Sequence, residues 1–164
     1  MNWPVFRRSE ESALVSKGFD LLRLNRLEEA LEAFGRALEL EPKDVNGWLG
    51  KGIALERLGQ VREALACYEY LLRINPDHAE TWFYRAIALA KMGRHEQAIL
   101  CYDRSLRYMP DDPMILFRKG QSLEFLENYR EAVDCYDRAL SKEKSREMRE
   151  RREEAMRRIR EMEA

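Results

Sequence analysis

Apolar and polar positions along this chain follow a helical rhythm broken at regular intervals. In 45–59, VNGWLGKGIALERLG, the residues Trp48, Gly52 and Leu55 recur at steps of three or four and mark one face of a helix. A short polar turn follows. The spacing then predicts a second helix with Ala64, Tyr68 and Leu71 on its buried face, stopped near Pro76.

This helix–turn–helix phrase recurs at one fixed period along the chain. Cys67, Cys101 and Cys135 keep that spacing, as do Tyr68, Tyr102 and Tyr136, with Phe34 extending the aromatic series backward. Ala30, Ala64, Ala98 and Ala132 form another column, and Leu21, Leu55, Leu89 and Leu123 a further one. Pro42, Pro76 and Pro110 also fit, with Lys144 where a fourth proline would stand. Four units result, at 11–44, 45–78, 79–112 and 113–146, between a lead-in at 1–10 and a charged capping or assembly helix at 147–164.

Local chemistry supports the turns. Gly59 and Gly93 suit a helix end that needs positive φ, and Asn25 can substitute, whereas Glu127 is expected to give a different turn. Asp44, Asp77 and Asp112 are placed to cap the following helices. Gly18, Gly52, Ala86 and Gly120 are expected to face the alanine column across each helix pair, so that the two helices approach closely.

These columns resemble those of the tetratricopeptide repeat family, over about 136 of the 164 residues. The chain departs from it in placing Lys17, Lys51, Arg85 and Lys119 where a leucine is usual, and the stems of these side chains are expected to lie buried with the charge at the rim. The resemblance implies an all-α, right-handed superhelical solenoid of four helix-turn-helix repeats plus a C-terminal helix. It also implies that the first helix of each pair lines a concave face.

On that face the spacing places Val15 and Phe19 in the first repeat, Leu49 and Ile53 in the second, Phe83, Tyr84 and Ile87 in the third, and Phe117 and Gln121 in the fourth. Packing between neighbouring first helices would hide part of this set. An exposed apolar groove would instead mark a site for a partner's apolar peptide or helix. Relatives that clamp a C-terminal carboxylate use slots that here hold Val15, Phe19, Gly50, Glu80 and Tyr84, which do not suit one.

Composition narrows the function further. Charged residues make up 36% of the chain, so much of its surface is ionic, yet the net charge of −1 offers no general pull toward nucleic acid or an anionic membrane. No signal peptide and no membrane span is evident, and three cysteines do not suggest a disulfide framework, which points to the cytoplasm. Each cysteine fills the slot that Ala33 holds in the first repeat and reads as a small half-buried residue. His78 falls in an inter-repeat loop, and His95 shares its slot with Leu27, Val61 and Tyr129. No phosphate loop, metal motif or nucleophile motif is present, so neither catalysis, metal nor cofactor is expected.

The stretch 141–164 carries nine basic and seven acidic residues and is helix-forming throughout. Either the last repeat helix runs on through it or Ser145 caps a separate helix. Its thin apolar stripe, Met148, Ala155, Met156, Ile159 and Met162, is out of phase with a fifth repeat. It suits a cap on the solenoid or, as an alternative function, self-assembly in which this helix or the groove joins copies into a homodimer.

Overall fold

The computed structural model describes residues 3–164. Among the described residues there are nine helices and no strand: α1 (Trp3–Arg23), α2 (Leu27–Leu40), α3 (Val45–Arg57), α4 (Val61–Ile74), α5 (Ala79–Lys91), α6 (His95–Leu106), α7 (Pro113–Phe125), α8 (Tyr129–Lys142) and α9 (Arg146–Met162). The fold is all-α, made of consecutive helix pairs of the solenoid class. Of the lead-in at 1–10, residues 1 and 2 lie outside the described residues, and from Trp3 onward the chain is part of α1.

Two compact units divide the chain, Met1–Pro76 and Asp77–Ala164. In the first, α1 packs on α2 and α3, and α3 on α2 and α4. In the second, α5 packs on α6, α6 on α7, α7 on α8 and α8 on α9, with a lighter contact between α5 and α7.

Each pair is closed by one aromatic ring from its second helix. Phe34, Tyr68, Tyr102 and Tyr136 are all buried, as is the alanine column beside them. Removing one such ring from water contributes about 1.5–3 kcal/mol. The glycine column has a different partner from the one the spacing suggested. A methyl group at Gly18, Gly52 or Gly120 would strike the ring of Phe34, Tyr68 or Tyr136 respectively, rather than an alanine. The ring edge occupies the space that a Cβ would need. At Ala86 of the third repeat a methyl is accommodated and fully buried.

All four intra-repeat turns are the same. The residue that closes each turn after a first helix adopts positive φ: Asn25 (56°), Gly59 (83°), Gly93 (74°) and Glu127 (60°). Two backbone hydrogen bonds close each turn, for example Gly93 N–H to the Ala90 carbonyl (2.9 Å) and Arg94 N–H to the Leu89 carbonyl (3.0 Å). At the fourth turn Glu127 N–H reaches the Glu124 carbonyl and Asn128 N–H the Leu123 carbonyl, both at 2.9 Å. The different turn expected at Glu127 is therefore not formed, because these bonds and the packing of α7 on α8 hold a glutamate in the left-handed region.

The caps follow the register of the repeats with one correction. Asp44 accepts from Gly47 N–H, and Asp112 from Met114 and Ile115 N–H. The equivalent position before α5 is His78, not Asp77, and His78 Nδ1 accepts from Thr81 N–H (3.3 Å). Asp77 lies one position outside the register and accepts instead from the Tyr108 hydroxyl.

The C-terminal segment is a separate helix. Ser145 caps α9 after α8 has ended at Lys142, and Met148 and Ala155 are buried. From the cap Asp112 to the cap Ser145 the chain advances one position short of a full repeat. Lys119–Asp103 (2.7 Å) is matched by Arg152–Asp137. So α9 docks on α8 much as α7 docks on α6, one position out of step. That slip explains why its stripe is out of phase with the repeat columns. Along α9 the pairs Arg146–Glu150 (2.6 Å), Glu154–Arg158 (3.4 Å) and Arg157–Glu161 (3.9 Å) form, while Arg151 turns to Glu124.

Candidate functional site

The groove positions divide by burial. In the first unit Val15, Leu49 and Ile53 are buried, and only Phe19 is half-exposed, its ring edge-on to Phe34 at 5.1 Å. In the second unit Phe117 is buried at 3% exposure, against Tyr136. Val15, Leu49, Ile53 and Phe117 are thus core residues packed between helices, which corrects their placement on an open face. Phe83, Tyr84, Ile87 and Gln121 keep accessible surface. The Phe83 ring lies 5.3 Å from the Tyr84 ring and 6.2 Å from that of Tyr102.

Next to Ile87 and Gln121 opens a cleft of about 220 Å³ between α5, α6 and α7. Ala90 and Lys91 of α5, His95 and Tyr102 of α6, and Arg118 and Gln121 of α7 contribute to its lining, and none of its lining residues is acidic. Arg118 Nη1 donates to Gln121 Oε1 (3.1 Å). The His95 ring stacks on Phe125 at 3.9 Å, and its buried Nδ1 has no hydrogen-bond partner. His95 is thus a packing residue, as its slot implied, with one polar atom left over.

Sequence reasoning missed this cleft. The signal that reveals it is a break in a column: Leu22, Glu56, Ala90 and Glu124 share one slot, and only Ala90 has almost no side chain. In the fourth repeat that slot is occupied chemically. The Tyr136 hydroxyl donates to Glu124 Oε2 (2.5 Å), and Arg151 of α9 approaches the same oxygen at 3.8 Å. Burial, then the neighbouring carboxylate, pushes the Tyr136 phenol far above its ordinary range.

The basic column behaves as its spacing implied in three repeats. Lys51 lies over the Trp48 ring (5.1 Å), Arg85 donates to Cys101 Sγ (3.1 Å), and Lys119 pairs with Asp103. Lys17 is exposed. The three thiols are free and buried. Burial pushes all three upward, with Lys51, Arg85 and Lys119 acting in the opposite sense on Cys67, Cys101 and Cys135. Such thiols are poor nucleophiles at neutral pH. Among the described residues no group of three His, Cys, Asp or Glu side chains converges as a metal site, and no helix is long and apolar enough to cross a membrane.

Known families and folds share this architecture. Tetratricopeptide repeat models match residues 49–113 and 115–141, and a TPR repeat model matches 20–59. No curated protein matches. Among solved structures the chain is similar to MamA 41-end from Desulfovibrio magneticus RS-1, at 16% identity over 93% of this chain and 92% of that one, with a TM-score of 0.75. MamA AMB-1 is similar at 20% identity over 93% and 90%, with a TM-score of 0.69. A chain of the APC/C hetero-tetramer Cut9-Hcn1 gives 18% identity and a TM-score of 0.81; the match covers 92% of the present chain and 30% of that one. At these identities the likeness is one of fold.

Proposed function

Because the chain belongs to the tetratricopeptide repeat family, we propose that it is a non-catalytic protein–protein interaction scaffold that holds an apolar peptide or helix of a partner protein. Within the second unit, the docking surface is the face of α5 and α7 around Phe83, Tyr84, Ile87 and Gln121. The observation that carries this reading is the contrast along one slot. Val15, Leu49 and Phe117 are buried, whereas Phe83 keeps accessible surface beside two other apolar side chains. Aromatic side chains in such a position are the usual anchors of a bound segment.

Self-association through the C-terminal helix finds less support. Met148 and Ala155, the best-buried residues of its apolar stripe, already pack within the same chain. The test is Phe83→Glu. Binding of a selected peptide should fall by at least a hundredfold, about 2.7 kcal/mol, while helical content and melting stay near the parent values. Loss of the fold in this variant would make Phe83 a core residue and end the assignment.

A further inference from the structure

The cleft between α5, α6 and α7 has a filled counterpart elsewhere in the same molecule. One full repeat along the chain takes Tyr102 to Tyr136 and Ala90 to Glu124. One position less than a repeat, the offset of α9, takes Arg118 to Arg151. In the fourth repeat these positions form a phenol–carboxylate–guanidinium cluster, with Glu124 between Tyr136 and Arg151. In the third repeat the phenol and the guanidinium both line the cleft, and the carboxylate is absent because position 90 is alanine. The volume a glutamate side chain would fill is open.

The electrostatics of the cleft match what is absent. Lys91 and Arg118 bring two cationic side chains to its wall, and no acidic residue lines it. A carboxylate there would gain charge-assisted hydrogen bonds. The slots of the family's carboxylate clamp, Val15, Phe19, Gly50, Glu80 and Tyr84, lie outside the cleft.

We infer that this cleft receives the side-chain carboxylate of a glutamate in the partner segment, which supplies from outside the group that Glu124 supplies internally one repeat later. The occupant is thus an apolar segment with an acidic residue spaced to reach past Ile87 while its apolar residues cover Phe83 and Tyr84. This rests on the peptide-docking reading above and names the chemistry of that partner.

The probe is a display library of random twelve-residue peptides fused at their C-termini, so that no free C-terminal carboxylate is offered, selected against the full chain. Selected peptides should share a glutamate or aspartate at a fixed distance from an apolar residue. Replacing that glutamate by glutamine should weaken binding about tenfold, the worth of one charge-assisted hydrogen bond. Arg118→Gln should weaken it similarly, and the two losses should not add. Peptides without a shared acidic residue, or losses that add fully, would overturn the inference while leaving the docking face intact. If no peptide is selected, or binding survives Phe83→Glu, the docking reading itself has failed.

The cleft is then judged alone by comparing Ala90→Glu with Ala90→Gln. A higher melting temperature for Ala90→Glu, with the gap closing when Arg118→Gln is added, would show that the cleft accepts a carboxylate. No gap would refute it.

Discussion

Replacing Glu127 by glycine tests whether the fourth turn is held against its own backbone preference. Glu127 has φ of 60°, and its side chain is exposed. An L-residue in this region carries strain of about 1–2 kcal/mol. Glycine carries none, but loses about 0.5–1 kcal/mol more chain entropy on folding. The difference predicts that Glu127→Gly stabilises the protein by about 0.5–1 kcal/mol. For a chain of this length that is a rise of about 1–4 °C in melting temperature. Gly93→Ala is the reciprocal perturbation. No atom lies within 4 Å of where its Cβ would stand, so any loss reports the backbone alone. Thermal and urea unfolding followed by far-ultraviolet circular dichroism would measure both. A neutral or destabilising Glu127→Gly, alongside a clear loss in Gly93→Ala, would refute the strain argument and show that the glutamate side chain stabilises the turn.

Three further outcomes follow from the packing. Tyr136→Phe should cost about 1–3 kcal/mol in urea unfolding, because Glu124 loses its closest donor while remaining mostly buried. The buried thiols and Tyr136 titrate above their unfolded values, so their contribution is fully present below about pH 8.5. It should be lost as pH rises further, since the unfolded chain then releases protons that the folded chain retains. Changing Cys67, Cys101 and Cys135 together to alanine should flatten the fall that begins above about pH 8.5 in a pH series of melting temperatures. Deleting α9 should uncover the face of α8 beneath Met148 and Ala155. Light scattering should then show association that the full chain lacks, and a full-length dimer that dissociates on the deletion would contradict this.

The helix pairs and their hinges were legible because one period repeats in many columns at once, and a column of glycine or alanine next to a column of tyrosine admits few packings. What was missed lies where a column changes. Glu127 reads as a poor left-handed residue, yet the turn bonds and the flanking helices override its preference. Asp77 looks like a cap until the register is counted to His78. The groove residues were legible as a set but not one by one, because burial of Val15, Leu49, Ile53 and Phe117 depends on how neighbouring helices meet. Phe83 and Ile87 occupy the same slots with a different outcome. The cleft was invisible as a motif, since its mark is a missing side chain at position 90 rather than a present one.

The slip of α9 by one position bears on how far such an array can grow. In a one-dimensional stack each unit is stabilised by its neighbours on both sides. α9 packs chiefly on α8, through Met148 and Ala155, with Arg151 reaching Glu124 of α7. Its outer surface carries exposed Arg149, Glu150, Glu153, Arg157 and Arg160. A further helix laid there would have to strip water from these charges, at a cost of several kcal/mol for each one fully desolvated. We propose that α9 acts as a chain terminator in the sense of polymer growth: it extends the stack once and offers no template for the next addition. Amide hydrogen exchange in the second unit should accordingly begin at α9 and move inward.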